Sequence, residues 1–181
     1  MTHMRKILAL FVGLLFSVTA HAAPVDFINN GNSTTDGLSG LEWLDVNVTA
    51  GRNYFDVASQ LSTGGEFEGW RYASANEFLQ MISNWTDLNI TAQHQIVFGE
   101  GVIDGLVTLL GQTSDGVFAP GGDNHFIKGV LADTFGGWHH QAAFIYDLDA
   151  NSNDADFIFG NGGYYSDHSA LGEYGAFLVR E

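Results

Sequence analysis

Apolar side chains recur at two spacings along this chain, and the spacing changes near residue 111. Val25-Asp-Phe-Ile28 is a short apolar stretch that stops at Asn29-Asn-Gly31, which predicts a strand. Asn32 to Asp36 is polar and reads as a turn region. Leu41-Glu-Trp-Leu-Asp45 alternates imperfectly and predicts a second strand. From there the period lengthens. Tyr54, Val57, Ala58 and Leu61 fall on one face of a helix, with Asn53 as its N-cap and Gly64-Gly65 beyond its end. Ser74-Ala-Asn-Glu77 is a capping box, in which hydroxyl and carboxylate each satisfy a backbone N–H of the first turn, and Phe78, Ile82 and Trp85 continue it as an apolar stripe. Val102 to Leu110 predicts a third helix, ended by Gly111 and weakened by Gly105, since an interior glycine costs about 1 kcal/mol against alanine.

Beyond Gly111 the runs are short, aromatic or β-branched, and separated by Gly, Asn and Asp. Phe126–Leu131, Ala142–Tyr146, Phe157–Phe159 and Ala176–Val179 are predicted strands. Strands, then helices, then strands describe an α+β fold built on an antiparallel sheet with two or three flanking helices and long loops, rather than an alternating βαβ chain.

The start of the chain carries a different signal. Arg5 and Lys6 precede a 12-residue apolar run, Ile7 to Val18, and Ala20-His21-Ala22 is a small-x-small cleavage site. Residues 1–22 are therefore expected to be a secretory signal peptide and residues 23–181 a single domain, exported to the periplasm or beyond the cell. After cleavage, no stretch has the apolar length of a transmembrane segment.

Charge narrows the partners. The chain has 21 Asp+Glu against 6 Lys+Arg, and removing the leader leaves four basic residues: Arg52, Arg71, Lys128 and Arg180. So acidic a protein is not expected to bind nucleic acid, whose affinity rests on clustered Lys and Arg. The chain has no cysteine, which excludes disulfides, thiolate zinc sites, Fe–S clusters and cysteine nucleophiles.

Three segments stand in a telling order: Gly40-Leu-Glu-Trp-Leu-Asp45, then Gly64-Gly-Glu-Phe-Glu-Gly-Trp-Arg-Tyr-Ala-Ser74 followed by Glu77, then Gly175-Ala-Phe-Leu-Val-Arg180. The first resembles the "GLxWL" strand of DUF1566 (Lcl C-terminal) domains. It resembles still more closely the exported bacterial proteins that often carry a PEP-CTERM sorting tail. The second is similar to their "GG…GWRxPTxxE" segment and the third to their closing strand. The matches cover residues 36–78 and 174–180 and leave 90–170 unmatched. The resemblance implies a C-type-lectin-like fold in which first and last strands pair, two helices flank the sheet, and a long loop region carries binding. Neither Glu-Pro-Asn nor Trp-Asn-Asp occurs, so the sugar-coordinating calcium site of true C-type lectins is not carried over, and without the Pro-Glu-Pro tail neither is sorting.

Candidate chemistry lies mostly in the unmatched part. Asp147, Asp149, Asn151 and Asn153 place oxygens at alternate positions as in a calcium loop, although Ser152 replaces the turn glycine and Ile158 the bidentate glutamate. A polar hairpin turn is the simpler account of the same residues. No cofactor is therefore expected, with calcium at these four residues as the alternative to the turn. Trp138, His139, Tyr164 and Tyr165 lie beside Gly136-Gly137 and Gly162-Gly163 and suit a sugar-stacking surface, with loop packing as the competing reading. His139 and His140, with Asp123, His125, Asp167 and His168, form a looser metal or acid–base constellation without ligand spacing.

Trp43 and Trp70 are expected as core anchors, each indole N–H meeting an acceptor. Arg71 is expected to pin the junction before the capped helix by a bidentate bond to a carboxylate, with Glu77 structural as well. No G-x-S-x-G, phosphate loop or zinc-helix motif occurs, so no catalytic residue is singled out. The expected function is non-catalytic binding of a glycan or another surface component. A carboxylate-dependent polysaccharide hydrolase and a matrix protein without a specific ligand stay open.

Overall fold

The computed structural model describes residues 26–91, 95–98, 104–116, 124–135, 139–148, 156–159, 164–165, 167 and 170–181. The leader, Asp123, Trp138, Asp149, Asn151, Asn153 and His168 lie outside the described residues. The fold is mixed α+β, with antiparallel sheets and flanking helices.

One sheet has five strands: β1 (Phe27–Asn29), β2 (Ser33–Asp36), β3 (Glu42–Leu44), β4 (Arg71–Tyr72) and β12 (Leu178–Arg180), ordered β1-β2-β3-β12-β4. The other takes β5 (Gln95–Phe98), β6 (Ser114–Gly116), β7 (Asn124–Phe135), β8 (His139–Leu148), β9 (Asp156–Phe159), β10 (Tyr164–Tyr165) and β11 (Gly175–Ala176). Its main order is β11-β7-β8-β9-β5, with β6 on β7 and β10 on β8. The hairpin β7–β8 is its spine, with Ile127 opposite Ile145 and a bulge between Val130 and Thr134.

The helices are α1 (Tyr54–Ser59), α2 (Ala75–Thr86) and α3 (Asp104–Leu110), with a 3-10 turn at Val46–Thr49. Asn53 caps α1 by accepting the Asp56 N–H, and Ser74 with Glu77 closes a complete capping box on α2.

The core forms on two sides of the central strands. Trp43, Val179, Ile127 and Ile145 join Phe78, Ile82 and Trp85 of α2 and Leu106 and Leu110 of α3. Leu44, Leu178, Val130 and Ala142 face the other way, onto Val57 of α1 with Phe67 and Tyr72. Successive residues of β3 and β12 thus serve opposite cores, which is why those strands read as apolar runs rather than clean alternation.

Three expectations need correction. Residues 33–36 form a strand, not a turn, because their polar groups are satisfied inside: Ser33 Oγ donates to Glu42 and Thr34 Oγ1 donates to the Leu109 carbonyl. The run Ala176–Val179 is split: Gly175–Ala176 pairs parallel with β7, and after Phe177 the chain crosses into the other sheet as β12. The first and last strands do not pair. β1 pairs with β2, while β12 lies between β3 and β4, with Val179 opposite both Trp43 and Arg71.

Gly105 has a packing reason. A Cβ there would lie 2.9 Å from Cζ2 and 3.0 Å from Cη2 of the buried Trp85 indole. Gly105→Ala is expected to lower stability by about 1–2 kcal/mol in a urea melt, because crowding of the indole outweighs the gain in helix propensity. A more stable variant would show that the indole can yield.

Candidate functional site

β8 carries the candidate loop chemistry. The adjoining register places Tyr165 opposite His140 and Tyr164 opposite Gln141, so three of the four expected ligand-binding positions, His139, Tyr164 and Tyr165, share one corner of the sheet. The fourth, Trp138, precedes β8 and is outside the described residues.

At this corner His140 and Asp167 meet. Asp167 Oδ1 accepts the His140 backbone N–H at 3.1 Å and lies 2.8 Å from Nδ1. With the proton on Nδ1 the imidazole donates to the carboxylate and keeps Nε2 as an acceptor. Both side chains are largely buried, 12% and 13% exposed, leaving only an edge open to a ligand. α1 supplies the third member. The Tyr54 ring stacks on the imidazole with centroids 3.5 Å apart and on the Tyr72 ring at 4.4 Å, and the Tyr72 hydroxyl donates to the Tyr54 carbonyl at 3.0 Å. Burial, and then the charge of Asp167, raises the Tyr54 pKa, so its hydroxyl stays protonated at neutral pH. The corner thus presents a carboxylate, an imidazole and phenols on elements distant in sequence. Such groups can accept and donate hydrogen bonds to a hydroxyl-rich ligand.

The rest of the expected constellation is elsewhere. His125 is on β7 directly opposite Asp147 of β8 and Asp115 of β6. β8 pairs antiparallel with β9, and the candidate calcium positions Asp149, Asn151 and Asn153 lie outside the described residues. Among the described residues no group of three or more His, Asp or Glu side chains is placed to hold a metal ion.

The structural residues cluster around the first sheet. Arg71 forks onto Glu77, with N–O distances of 2.7 and 3.0 Å. Arg71, aided by the Ser74 backbone and hydroxyl, pulls the Glu77 pKa down to about 2 against the opposing effect of burial. Trp43 is 1% exposed, yet its indole N–H has no acceptor, contrary to expectation. Trp70 is half-buried at the rim of the second core, with the Arg180 guanidinium 4.4 Å above its ring. A shallow cavity of about 340 Å³ lies between Leu38 and the end of α2 and is lined by none of the sequence-predicted site residues.

Sequence reasoning missed Tyr54 and Tyr72 as site residues. Tyr54 fell on the apolar stripe of α1, but nothing in the chain ties residue 54 to residue 140. No protein-family model, curated protein or solved structure matches the chain. Among the described residues, no helix is long and apolar enough to cross a membrane.

Proposed function

We propose that the chain is an exported, non-catalytic binding protein of C-type-lectin-like architecture that holds a glycan or another surface component at the β8–β10 corner. The observation that carries this reading is the convergence of His140, Asp167 and Tyr54 beside the register positions of Tyr164 and Tyr165. Support for the architecture comes from the three DUF1566-like segments, and support for export from the leader-like residues 1–22. Binding groups mounted where loops meet a packed scaffold are the usual arrangement for recognition.

Calorimetric titration of the full chain against a panel of oligosaccharides tests it. A ligand should bind, and His140→Ala and Trp138→Ala should each weaken binding by about tenfold, the value of one good polar or stacking contact. Trp138→Ala should leave melting nearly unchanged. Equal affinity of all three proteins, or release of shortened saccharide, would overturn the non-catalytic reading of this corner. Running the titration with millimolar calcium and with a chelator tests the Asp147–Asn153 site. A calcium-dependent rise in melting temperature supports it and no change removes it.

A further inference from the structure

We propose that the β8–β10 corner accepts saccharides bearing hydroxyl and amine groups and rejects those bearing carboxylate or sulfate; this rests on the binding reading above. The argument starts from the cations. Beyond residue 6 the chain has four Lys and Arg residues, and all four are already committed. Arg52 pairs with Glu66 at 2.6 Å, Arg71 with Glu77 at 2.7 Å, Lys128 with Glu173 at 2.5 Å and Arg180 with Glu42 at 2.7 Å. Three of them also sit over aromatic rings: Arg52 on Phe67, Lys128 on Phe126 and Tyr174, and Arg180 on Trp70.

An acidic ligand would therefore have to break one of these pairs and leave a carboxylate uncompensated, or dock without any Lys or Arg. Either route is unfavourable, since charge-assisted forks are the usual means of holding carboxylate and sulfate.

The site itself has the opposite bias. Asp167 receives its hydrogen bonds from His140, through the backbone N–H and Nδ1, and brings a carboxylate to the corner. In the tautomer with the proton on Nδ1, Nε2 accepts a hydrogen bond and so suits a hydroxyl or amine donor. Over the whole chain beyond residue 6, 21 acidic residues against four basic ones give a net field that attracts cations and repels anions at low ionic strength.

The test is calorimetric titration of the full chain at pH 8 with three probes. The probes are 6-amino-6-deoxy-β-glucan oligomers, whose primary alkylamines stay charged at this pH, neutral β-glucan oligomers and oligogalacturonates of matched length, each at about 20 mM and about 200 mM salt. The amino-glucan oligomers should bind most tightly and oligogalacturonates at least about tenfold more weakly than the neutral series. Added salt should erode the advantage of the amine over the neutral sugar. Asp167→Asn should weaken both and reduce the ratio of amine to neutral affinity. Should that variant fail to fold, the salt dependence of the wild type decides the same point. Oligogalacturonate binding as tight as neutral binding, or an amine advantage indifferent to salt, overturns this inference while the binding reading stands. Silence from all three probes removes both.

Discussion

Asp45→Asn is expected to make the protein more stable at pH 7, by about 2 kcal/mol, an unusual direction for a change at a buried residue. Asp45 follows β3 and is 9% exposed, and its Oδ1 is buried without a hydrogen-bond partner. The groups around it are neutral. Its backbone N–H donates to the Asn32 carbonyl, and Gly111, just past α3, packs against its Cβ and the Asn47 side chain. On the elements that meet there, Glu42 is bonded to Arg180 and Asp36 to its own turn, so neither supplies a counter-charge. Burial alone therefore raises the carboxyl pKa from 3.8 to about 6.

Unfolded chains give up this proton near pH 4, whereas the folded chain holds it to about pH 6. The stability present below pH 4 is thus lost as pH rises to 6 and stays lost above. That gap corresponds to about 3 kcal/mol, reduced to about 2 because water reaches the rim of the core. Asparagine keeps the shape and removes the charge, so the variant should lose this slope. Glu77 works in the other sense. With its pKa near 2 it stabilises the fold above pH 4.5, and that contribution disappears as pH falls toward 2. Urea melts from pH 3 to 8 would show a wild-type maximum near pH 4–5 and a flat neutral limb in Asp45→Asn. A variant less stable than wild type at pH 7 would mean that Asp45 has a partner in solution.

The reverse result is expected at Asp36. This carboxylate is fully buried and bonded on both oxygens. Oδ1 accepts the backbone N–H groups of Leu38 and Ser39 at 3.0 and 3.3 Å, while Oδ2 accepts the Ser39 hydroxyl at 2.7 Å and the Asn84 amide at 2.6 Å. It shapes the hairpin turn between β2 and β3 and ties it to α2. Asp36→Ala should cost about 3–4 kcal/mol in urea melts, because buried donors lose their acceptor as well as a charge-assisted bond. Asp36→Asn, which can still accept on one oxygen, should recover part of this loss. A cost under about 1 kcal/mol for the alanine variant would mean that the turn holds without the carboxylate.

These two aspartates show how far the chain could be read unaided. Local signals transferred well. The Ser74–Glu77 box and the Asn53 cap sit where the helix code placed them, because caps depend only on residues three positions apart. Asp36 and its neighbours misled, since a polar strand looks like a turn unless its distant partners, Leu109 and Asn84, are known. Nor could spacing reveal that Phe177 marks a change of sheet, because both halves of residues 175–180 are equally suited to strands. The candidate site was legible only in part. Gly-flanked aromatics and histidines drew attention to Trp138, His139, Tyr164 and Tyr165 as loop positions, but the bond from His140 to Asp167 and the stacking on Tyr54 arise from tertiary closure alone.

The central position of β12 bears on how the chain is made. Residues leaving a ribosome, or threading through an export pore, appear in numerical order, so β3 and β4 emerge long before the strand that belongs between them. Until Leu178–Arg180 arrive, that sheet has a gap at its middle and two unsatisfied inner edges. Closure then requires contacts of very high sequence separation, which are slow to form. A nascent chain would therefore hold this sheet open through most of its synthesis and complete it only when its last strand is released.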